Sequence, residues 1–529
     1  MSVMRRCQVM FFLRRSFTVT VTLVAVTALQ AGSESDLSNS LQTFTAFYRA
    51  VEENFAGKIN PDETLYQGAI PGMLHTLDPH SSFLDPKYFQ LLREEQRGHY
   101  FGVGMLVGMK KGRVYVVYQF TNSPAHKAGL RPGDVIESIN GKPAQGMNTM
   151  QVADLLKGPR GTQVTVAVTR AGQPAPLVFH LTRDAIERKS VHEAQWLRPG
   201  IAYLRIENFN EKTGRELEET LRRLEEPRIE SLVLDLRGNP GGLLNAGVAV
   251  ANHFLQEGQT IVSHRGRASA EQTYVARGVR PRRDYAMVVL TDRYSASASE
   301  IVAGALQDHD RAWILGDTTF GKGLVQSQYP LSSNTALLLT TAKYYTPSGR
   351  LIQRDYSKNS FFEYYYRRAS NPGDTKGVKH TDGGRAVYGG DGIAPDEKYS
   401  HPKPNRFQAG VDREAAFEFA ATYLSSHAVE AHDSWEPGPE ILAEFRPFLQ
   451  QRGVDFTAAE FDENLAWVKQ RLRYEMDISL LGKDEADRRL VPADPTVEAA
   501  LNALPKAKAL LENSRQMMAR KNGRVTGAN

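Results

Sequence analysis

Cysteine is nearly absent from this chain, since Cys7 is the single cysteine among 529 residues. A lone thiol excludes an intramolecular disulfide framework and leaves no cluster of thiolates to hold a metal. Cys7 also lies in the first 31 residues, so a chain processed after that segment would have no cysteine nucleophile. The reactive groups must be sought among other side chains.

Residues 1–31 lack acidic side chains altogether. They contain four arginines, which account for most of the formal net charge of +5 and leave a nearly neutral remainder. A body without a basic excess has no evident surface for phosphate groups. Nucleic acid is therefore not an expected partner.

Long apolar runs are missing as well. The run at Phe17–Ala28 is shorter than the ~20 residues that a membrane-spanning helix needs. Basic residues precede it, small residues follow it, and Arg14-Arg15-Ser16-Phe17 is similar to a twin-arginine export motif. We predict a secretory signal over residues 1–31. A short uncleaved amphipathic N-terminus is the alternative.

The 13 histidines show no metal-ligand spacing such as His-Glu-x-x-His, so neither a metal nor a cofactor is expected. His309, between two aspartates, is typical of a solvated turn, although a Ser/His/Asp triad that uses it stays open because triads assemble in space. His80, in the turn-forming stretch 78–86, is expected to be a buried or capping residue. A catalytic pairing with Ser81 or Ser82 is the alternative.

The residue pattern divides the rest of the chain into four parts. Apolar positions recur at helical spacing over 36–96, with Asn60 and Pro61 predicted to cap a second helix. Short strands and turns occupy 98–184, strands alternate with helices over 185–404, and helical periodicity returns over 405–529. Alternation of strands and helices predicts an α/β core with crossover connections.

The segment Ser123–Ile136 contains the run Gly129-Leu130-Arg131-Pro132-Gly133-Asp134 and resembles the core signature of a PDZ domain. Such domains hold a peptide's C-terminal carboxylate on backbone amides, and the peptide adds as a strand. The resemblance implies that the loop Phe101-Gly102-Val103-Gly104 does this here. A glycine-rich hairpin without a ligand is the alternative.

Three serines, Ser295, Ser297 and Ser299, lie between a predicted buried strand and a predicted helix. A hydroxyl at a helix N-terminus can act as an acyl-transfer nucleophile, but serine at such a boundary is also an ordinary cap. The residues alone do not rank the three. Lys322 follows on a glycine-flanked turn, and a lysine can serve as a base only when it is neutral and hence desolvated.

These two segments resemble the catalytic segments of the carboxyl-terminal processing peptidases, serine peptidases whose nucleophile and lysine lie 25 residues apart, as Ser297 and Lys322 do. The resemblance implies that Gln326 orients the lysine, and that the amide of Ala298 with one from Gly241 or Gly242 forms the oxyanion hole. Relatives often carry arginine where this chain has Lys157, and in some it links peptide binding to activation.

The fold that this resemblance implies is a multidomain α/β chain: a crotonase/ClpP-like peptidase core with an inserted PDZ domain and helical N- and C-terminal regions. We expect an exported bacterial serine endopeptidase, in the periplasm or at the outer face of the inner membrane, which touches the membrane only through its signal.

The expected partners are proteins or peptides with free C-termini, captured by the PDZ domain and cut near the tail, and the helical ends suggest a homodimer. Two alternatives stay open at this point. One is a non-catalytic PDZ scaffold with a decayed hydrolase core, and the other is a crotonase-like acyl transferase.

Overall fold

The computed structural model describes residues 36–278, 284–357, 361–366, 377–411 and 413–526. The predicted signal at residues 1–31 lies outside these ranges. Within them, no helix combines the length and the apolar character that crossing a bilayer demands. The chain divides into two compact units, one ending at Leu77 and the other starting at Asp78.

The first unit is helical. It contains α1 (residues 36–54), α2 (Pro61–Glu63), a π-helical turn (Thr64–Ala69) and α3 (Ile70–His75). The Asn60 side chain accepts a hydrogen bond from the amide of Asp62, and Pro61 occupies a first-turn position where an N–H is not needed. This geometry confirms the predicted cap.

The second unit starts inside the stretch predicted as a helical arm, with β1 (Ser82–Leu84), α4 (Pro86–Arg97) and β2 (His99–Gly102). β1 pairs antiparallel with the strand Ala336–Tyr345. The Asp85 side chain caps α4, and the left-handed Gly98 ends it. Residues 78–97 thus belong with the second unit, because β1 completes one of its sheets.

A small β-domain follows. Its elements are β3 (Met105–Lys110), β4 (Arg113–Gln119), α5 (Pro124–Lys127), β5 (Val135–Ile139), β6 (Lys142–Pro143), α6 (Thr149–Leu156), β7 (Gln163–Thr169), β8 (Leu177–Thr182) and β9 (Asp184–Glu187). The sheet order is β3-β4-β5-β7-β8, with β6 on β5, and β2 pairs with β9. β3 is an edge strand, so one of its sides is open among the described residues.

The core carries the strands β10 (Val191–Arg198), β11 (Ile201–Ile206), β12 (Ser231–Asp235), β13 (Thr260–Arg265), β14 (Gln272–Val275), β15 (Ala286–Thr291), β16 (Trp313–Gly316), β17 (Leu324–Pro330), β18 (Ala336–Tyr345), β19 (Val378–His380), β20 (Ala386–Tyr388) and β21 (Glu397–Lys398). Its helices are α7 (Thr213–Arg223), α8 (Leu244–Phe254), α9 (Ala298–Asp308) and α10 (Phe361–Tyr366). α10, β19 and β20 are short elements within the polar stretch 357–388.

The central sheet has the order β10-β11-β12-β15-β16-β21, with all pairs parallel except β10–β11. Every residue of β12 and β15 is buried, as continuous apolar runs predict for parallel strands covered on both faces. A second sheet has the order β1-β18-β13-β14, with β17 also paired to β18.

Helices cover both faces of the central sheet. Leu232 and Leu234 pack with α7, α8 and α9, whereas Val233 between them faces the opposite side. That opposite side is covered by the last helix, α17 (Pro495–Thr526), through Val497, Ala500 and Leu504. The C-terminal region is therefore not a single helical body, because its last helix is a layer of the α/β core.

The remaining helices are α11 (Arg406–Gly410), α12 (Arg413–Ser426), α13 (Pro439–Gln451), α14 (Ala458–Glu463), α15 (Leu465–Leu481) and α16 (Lys483–Leu490), and α11 to α15 share an apolar core. α12 also faces the β-domain. Lys110 of β3 forms ion pairs with Glu414 and Glu418, and the rings of Tyr115 and Phe417 lie 5.5 Å apart.

Candidate active site

The predicted catalytic residues meet at the carboxyl ends of neighbouring parallel strands. β12 leads into the loop 235–242 and β15 into the turn 292–297, so both loops emerge at the same edge of the sheet. A cavity of about 900 Å³ lies there. Ser297, Lys322, Gln326, Gly241 and Gly242 all line it.

The three serines occupy different environments. Ser295 is fully buried and its hydroxyl donates to the carbonyl of Leu236 at 2.8 Å, while Ser299 is fully buried and donates to the carbonyl of Asn239 at 3.0 Å. Ser297 is partly exposed and lines the cavity. Burial thus distinguishes Ser297 from the other two serines as the candidate nucleophile, which the sequence pattern alone did not do.

The backbone of Ser297 is strained. Ser297 lies at the junction between the turn and α9. Its φ of 55° and ψ of −112° are outside the backbone regions that residues other than glycine prefer. Strain of this kind costs about 1–3 kcal/mol and persists where surrounding bonds enforce it. Here it presents the hydroxyl to the cavity.

The loop 235–242 brings backbone amides against this turn. A Cβ atom on Gly241 would lie 2.7 Å from the Cβ of Ser297 and 2.9 Å from the nitrogen of Ala298, so only glycine fits. The Gly241 amide is already donated to Asn239 Oδ1 at 2.8 Å. The amides of Gly242 and Ala298 have no hydrogen-bond partner in the part of the chain that the structure describes.

Lys322 lies on the loop that follows β16, and its side chain is partly buried. Among the described residues its amine has no hydrogen bond and no carboxylate within ion-pairing distance. Burial lowers the pKa of this amine, and the more distant charges of Glu300 and Asp78 oppose the shift. The amine is therefore more easily neutral than that of a lysine on the surface.

Glu300 ties the two loops together, and the sequence analysis did not single it out. Its fully buried carboxylate accepts hydrogen bonds from the amides of Ser297 (2.8 Å), Lys322 (2.8 Å) and Gly321 (2.7 Å), and from the hydroxyl of Thr319 (2.6 Å). Burial raises its pKa, and these four donors oppose the shift. Glutamate in the first turn of a helix is a common cap, so the sequence offers no distinctive signal for this role.

No hydrogen bond joins the Ser297 hydroxyl to the Lys322 amine, although both groups line the cavity. Gln326, in β17, donates its side-chain amide to the carbonyl of His80 at 2.7 Å. Its predicted role in orienting the lysine stays a prediction. The bond that is present anchors the turn 78–81 against β17.

The two histidines considered in the sequence differ in position. His80 lies near Lys322, whose charge is one of the causes that lower the pKa of this imidazole. His309 lies at the end of α9 opposite to Ser297 and bonds Asp382 and the Thr260 carbonyl. An 11-residue helix spans roughly 16 Å, so His309 is not positioned to form a triad with Ser297. Across the described ranges, no group of three or more possible side-chain ligands is placed to bind a metal.

The predicted peptide-binding loop joins β2 to the edge strand β3. Val103 is buried, its carbonyl accepts from Ala125, and the carbonyl of Gly104 accepts from the Ser123 hydroxyl at 2.8 Å. The structure gives the amides of Val103 and Gly104 no partner within its described part. Phe101 is exposed and Gly102 pairs with β9. Free amides beside an open strand edge suit a carboxylate and an added strand.

Lys157, at the end of α6, forms an ion pair with Glu94 of α4 at 2.6 Å. Its amine also lies 4.9 Å from the centre of the Tyr100 ring. Leu92, Glu95 and Gln96 of the same helix α4 line the active-site cavity. The lysine thus connects the small β-domain to a wall of the cavity through one ion pair.

Two family models match the chain: that of peptidase family S41 over residues 200–358 and that of the PDZ domain over residues 115–170. These matches agree with the α/β core and the inserted β-domain.

The chain is 38% identical over 351 residues to a carboxy-terminal-processing protease of Bartonella bacilliformis, a match that covers 65% of this chain and 80% of that protein. It is 34% identical to the carboxy-terminal processing protease CtpB of Bacillus subtilis, over 61% of this chain and 68% of that one. A solved structure of the photosystem II D1 C-terminal processing protease is 29% identical, with a TM-score of 0.37 over 67% of this chain and 86% of that chain.

Proposed function

Because this chain belongs to peptidase family S41 and is a carboxy-terminal processing serine protease with a PDZ domain, we propose that Ser297 is its nucleophile and Lys322 its general base. The observation that carries the proposal is a partly buried lysine, without a carboxylate partner among the described residues, in the same cavity as a strained serine.

In the first step the neutral Lys322 amine takes the proton from the Ser297 hydroxyl as the oxygen attacks the scissile carbonyl. The resulting ammonium then gives that proton to the leaving amine, and an acyl-enzyme remains. Water then attacks the ester while the same lysine takes its proton, and that proton passes to the Ser297 oxygen as the acid is released. The structure shows no hydrogen bond between the two groups, and we expect them to come into contact in the complex with substrate, as is common for catalytic pairs.

Negative charge that develops on the carbonyl oxygen needs donors already in place. We assign this role to the amides of Ala298 and Gly242. Gly242 is preferred over Gly241 because the Gly241 amide is donated to Asn239. The fixed strand and helix ends hold both donors beside Ser297.

The PDZ domain is proposed to capture the free C-terminus of a substrate. The terminal carboxylate would accept hydrogen bonds from the amides of Val103 and Gly104, and the tail would pair with the open edge of β3. Tethering raises the local concentration of the tail at the cavity. Cleavage near the tail follows from this arrangement.

The test is hydrolysis of a denatured protein, followed by mass spectrometry of the fragments. The wild-type chain is expected to release C-terminal fragments, whereas Ser297→Ala is expected to release none while it still binds a tail peptide. Ser295→Ala serves as the matched control and is expected to retain cleavage. Fragments from the Ser297→Ala protein at the wild-type rate would contradict the assignment.

Export is proposed on the sequence of residues 1–31, with the mature chain in the periplasm or at the outer face of the inner membrane. N-terminal sequencing of the protein from fractionated cells is expected to give a start shortly after residue 31. A cytoplasmic protein that retains its first residues would contradict this localisation.

A homodimer is the proposed assembly, on the basis of the helical regions at both ends of the chain. Light scattering of the purified protein is expected to give the mass of two chains. The mass of one chain at micromolar concentration would contradict it.

A further inference from the structure

The turn Asp78–Ser81 lies beside the lysine loop. We propose that His80 is a positioning residue for Lys322: its neutral imidazole, fixed by Tyr364, forms part of the wall that keeps the lysine amine out of water. The inference rests on the proposed role of Lys322 as the base, and it extends that role to a segment more than 200 positions earlier in the sequence.

A chain of hydrogen bonds links His80 to the segment that follows Lys322. The amide of Gly323 donates to Gln353 Oε1 at 2.8 Å, and Gln353 Nε2 donates to the hydroxyl of Tyr364 at 3.2 Å. That hydroxyl lies 2.8 Å from His80 Nε2. The carbonyl of His80 then accepts from Gln326 Nε2 at 2.7 Å. The chain therefore begins one residue after Lys322 and ends four residues after it, with His80 held between these points.

This network fixes the orientation of the Gln353 side-chain amide. Because a backbone amide can only donate, Gln353 must present its oxygen to Gly323 and its nitrogen to Tyr364. The Tyr364 hydroxyl accepts that bond, and its own hydrogen is available to a neutral His80 Nε2. Because burial and the charge of Lys322 lower the pKa of this imidazole, we assign the neutral tautomer that accepts at Nε2 and carries its hydrogen on Nδ1.

Aromatic rings complete the enclosure. The ring of His80 lies 5.5 Å from that of Tyr364 and 6.1 Å from that of Tyr365, and Phe320 contacts the same two tyrosines at 5.6 Å and 5.9 Å. Phe320 precedes Lys322 by two positions. Tyr364 is almost fully buried. The imidazole is thus part of an apolar cluster that adjoins the lysine loop.

The charges around His80 agree with a neutral ring. Burial, followed by the charge of Lys322, lowers the pKa of His80 to about 4, while Asp78 opposes the shift. The other titratable groups that pack against the ring are the phenols of Tyr364 and Tyr365, both with raised pKa values. Asp78 itself accepts from the amides of His80 and Ser81 and from the Ser81 hydroxyl. Its carboxylate is therefore engaged within its own turn.

A wall that excludes water favours the neutral form of the amine. If water enters where the imidazole was, the pKa of Lys322 rises toward its ordinary value. At any pH below the pKa of Lys322, a rise of one unit in that pKa lowers the fraction of neutral amine about tenfold. The rate falls by the same factor. The expected defect is a displaced pH profile, with an intact rate once the lysine is deprotonated.

The experiment measures the rate at which an uncharged phosphonate probe labels Ser297 between about pH 6 and pH 10, in the full-length protein. His80→Ala is expected to move the midpoint of the ascending limb upward by about one unit, with about tenfold slower labelling at pH 7 and a plateau within about threefold of wild type. Tyr364→Phe, which is nearly isosteric and keeps the cluster packed, is expected to move the midpoint in the same direction by less.

Two further variants sharpen the result. His80→Gln offers an oxygen to the Tyr364 hydroxyl and is expected to recover part of the shift. Tyr356→Phe removes a neighbouring hydroxyl that has no hydrogen-bond partner in the described segments, and it is expected to leave the midpoint unchanged. Midpoints equal to that of wild type in both His80→Ala and Tyr364→Phe would overturn the inference, as would a lower plateau without a change of midpoint. Failure of the proposed function appears separately, as labelling that survives in Lys322→Ala.

Discussion

Among the described residues, the active-site cavity and the PDZ loop both contain backbone amides without a hydrogen-bond partner, but these amides have different surroundings. The amides of Ala298 and Gly242 lie beside a strained serine, between loops that a buried glutamate holds together. The amides of Val103 and Gly104 lie next to an open strand edge. The amides of Ala298 and Gly242 suit the oxyanion, a charge that exists only during the reaction. The amides of Val103 and Gly104 suit the terminal carboxylate of a peptide, which is charged throughout.

The two sites therefore differ in their support, because a shared buried carboxylate joins the loops around Ser297. Donors that stabilise a transition state must be in place before the charge appears, because the free energy needed to rearrange them would offset the stabilisation they provide. A tail that is only captured can tolerate a looser site and be aligned by strand pairing. Changes in the two regions should therefore have effects of different size and on different kinetic constants.

The largest effect in this comparison is expected from Gly242→Ala. The added Cβ would lie 2.1 Å from the carbonyl oxygen of Phe209, at a φ of 143°. We expect the loop to shift and kcat to fall by about 10² to 10³, as after loss of one oxyanion donor. Steady-state hydrolysis of a peptide measures it. Gly258→Ala, at a φ of 83° with open space around it, is the control that tests backbone strain alone. A kcat for Gly242→Ala equal to that of the control would contradict the role of the Gly242 amide.

Glu300→Gln is expected to have the next largest effect. The substitution replaces one acceptor oxygen with an NH₂ group, so buried amides lose their partner at a cost of about 1–3 kcal/mol each. We expect a lower melting temperature, and kcat lowered about 10²-fold because the two loops separate. Thermal unfolding and peptide hydrolysis give the two readouts, with tail binding unchanged. The exposed Glu219→Gln is the control, and equal behaviour of the two variants would contradict the tying role of Glu300.

A smaller effect is expected when the substrate, and not the enzyme, is changed. Amidation of the tail removes the carboxylate charge that the amides of Val103 and Gly104 would hold, worth about 1.5 kcal/mol or about tenfold. We expect kcat/KM to fall tenfold through KM, with kcat unchanged. The same pair of peptides offered to a chain with Gly104→Ala should no longer be distinguished, since a Cβ there would meet Ser123 Cβ at 2.3 Å. If the amidated peptide were cut as efficiently as the free acid, the loop that contains Val103 and Gly104 would not bind the terminal carboxylate.

Much of this architecture could be predicted from local pattern. The buried strands β12 and β15 are continuous apolar runs, and Asn60 and Asp85 cap helices where turn residues indicate them. The family resemblance and the spacing of Ser297 and Lys322 indicated the cavity residues. Local sequence determines local conformation well enough for these features.

Other features depend on partners distant in sequence. Ser295 and Ser299 are distinguished from Ser297 only by their burial and their bonds to the loop 235–242. Gly242 is distinguished from Gly241 by the side chain of Asn239. His80 finds its partner in Tyr364, and nothing near either residue indicates that pairing.

The limits of the predicted helical N- and C-terminal regions differ from those in the structure because they, too, depend on contacts between residues distant in sequence. The helical periodicity of α17 is the same whether the helix packs in a bundle or on a sheet, and the contact of its apolar face with Val233 and Val288 becomes evident only in three dimensions. The strand β1 is too short to be recognised apart from β18, with which it pairs.

The most direct test of the proposed catalytic pair is the rate at which the phosphonate probe labels Ser297 as pH is raised, in the wild-type chain and in Lys322→Ala. Because burial lowers the pKa of Lys322, we predict that wild-type labelling rises through the neutral range and levels off below the ordinary lysine pKa. We expect Lys322→Ala to label at least about 10³-fold more slowly without that rise, while Lys469→Ala, a surface lysine of the helical domain, behaves as wild type. Equal labelling of Lys322→Ala and wild type at neutral pH would contradict a lysine base.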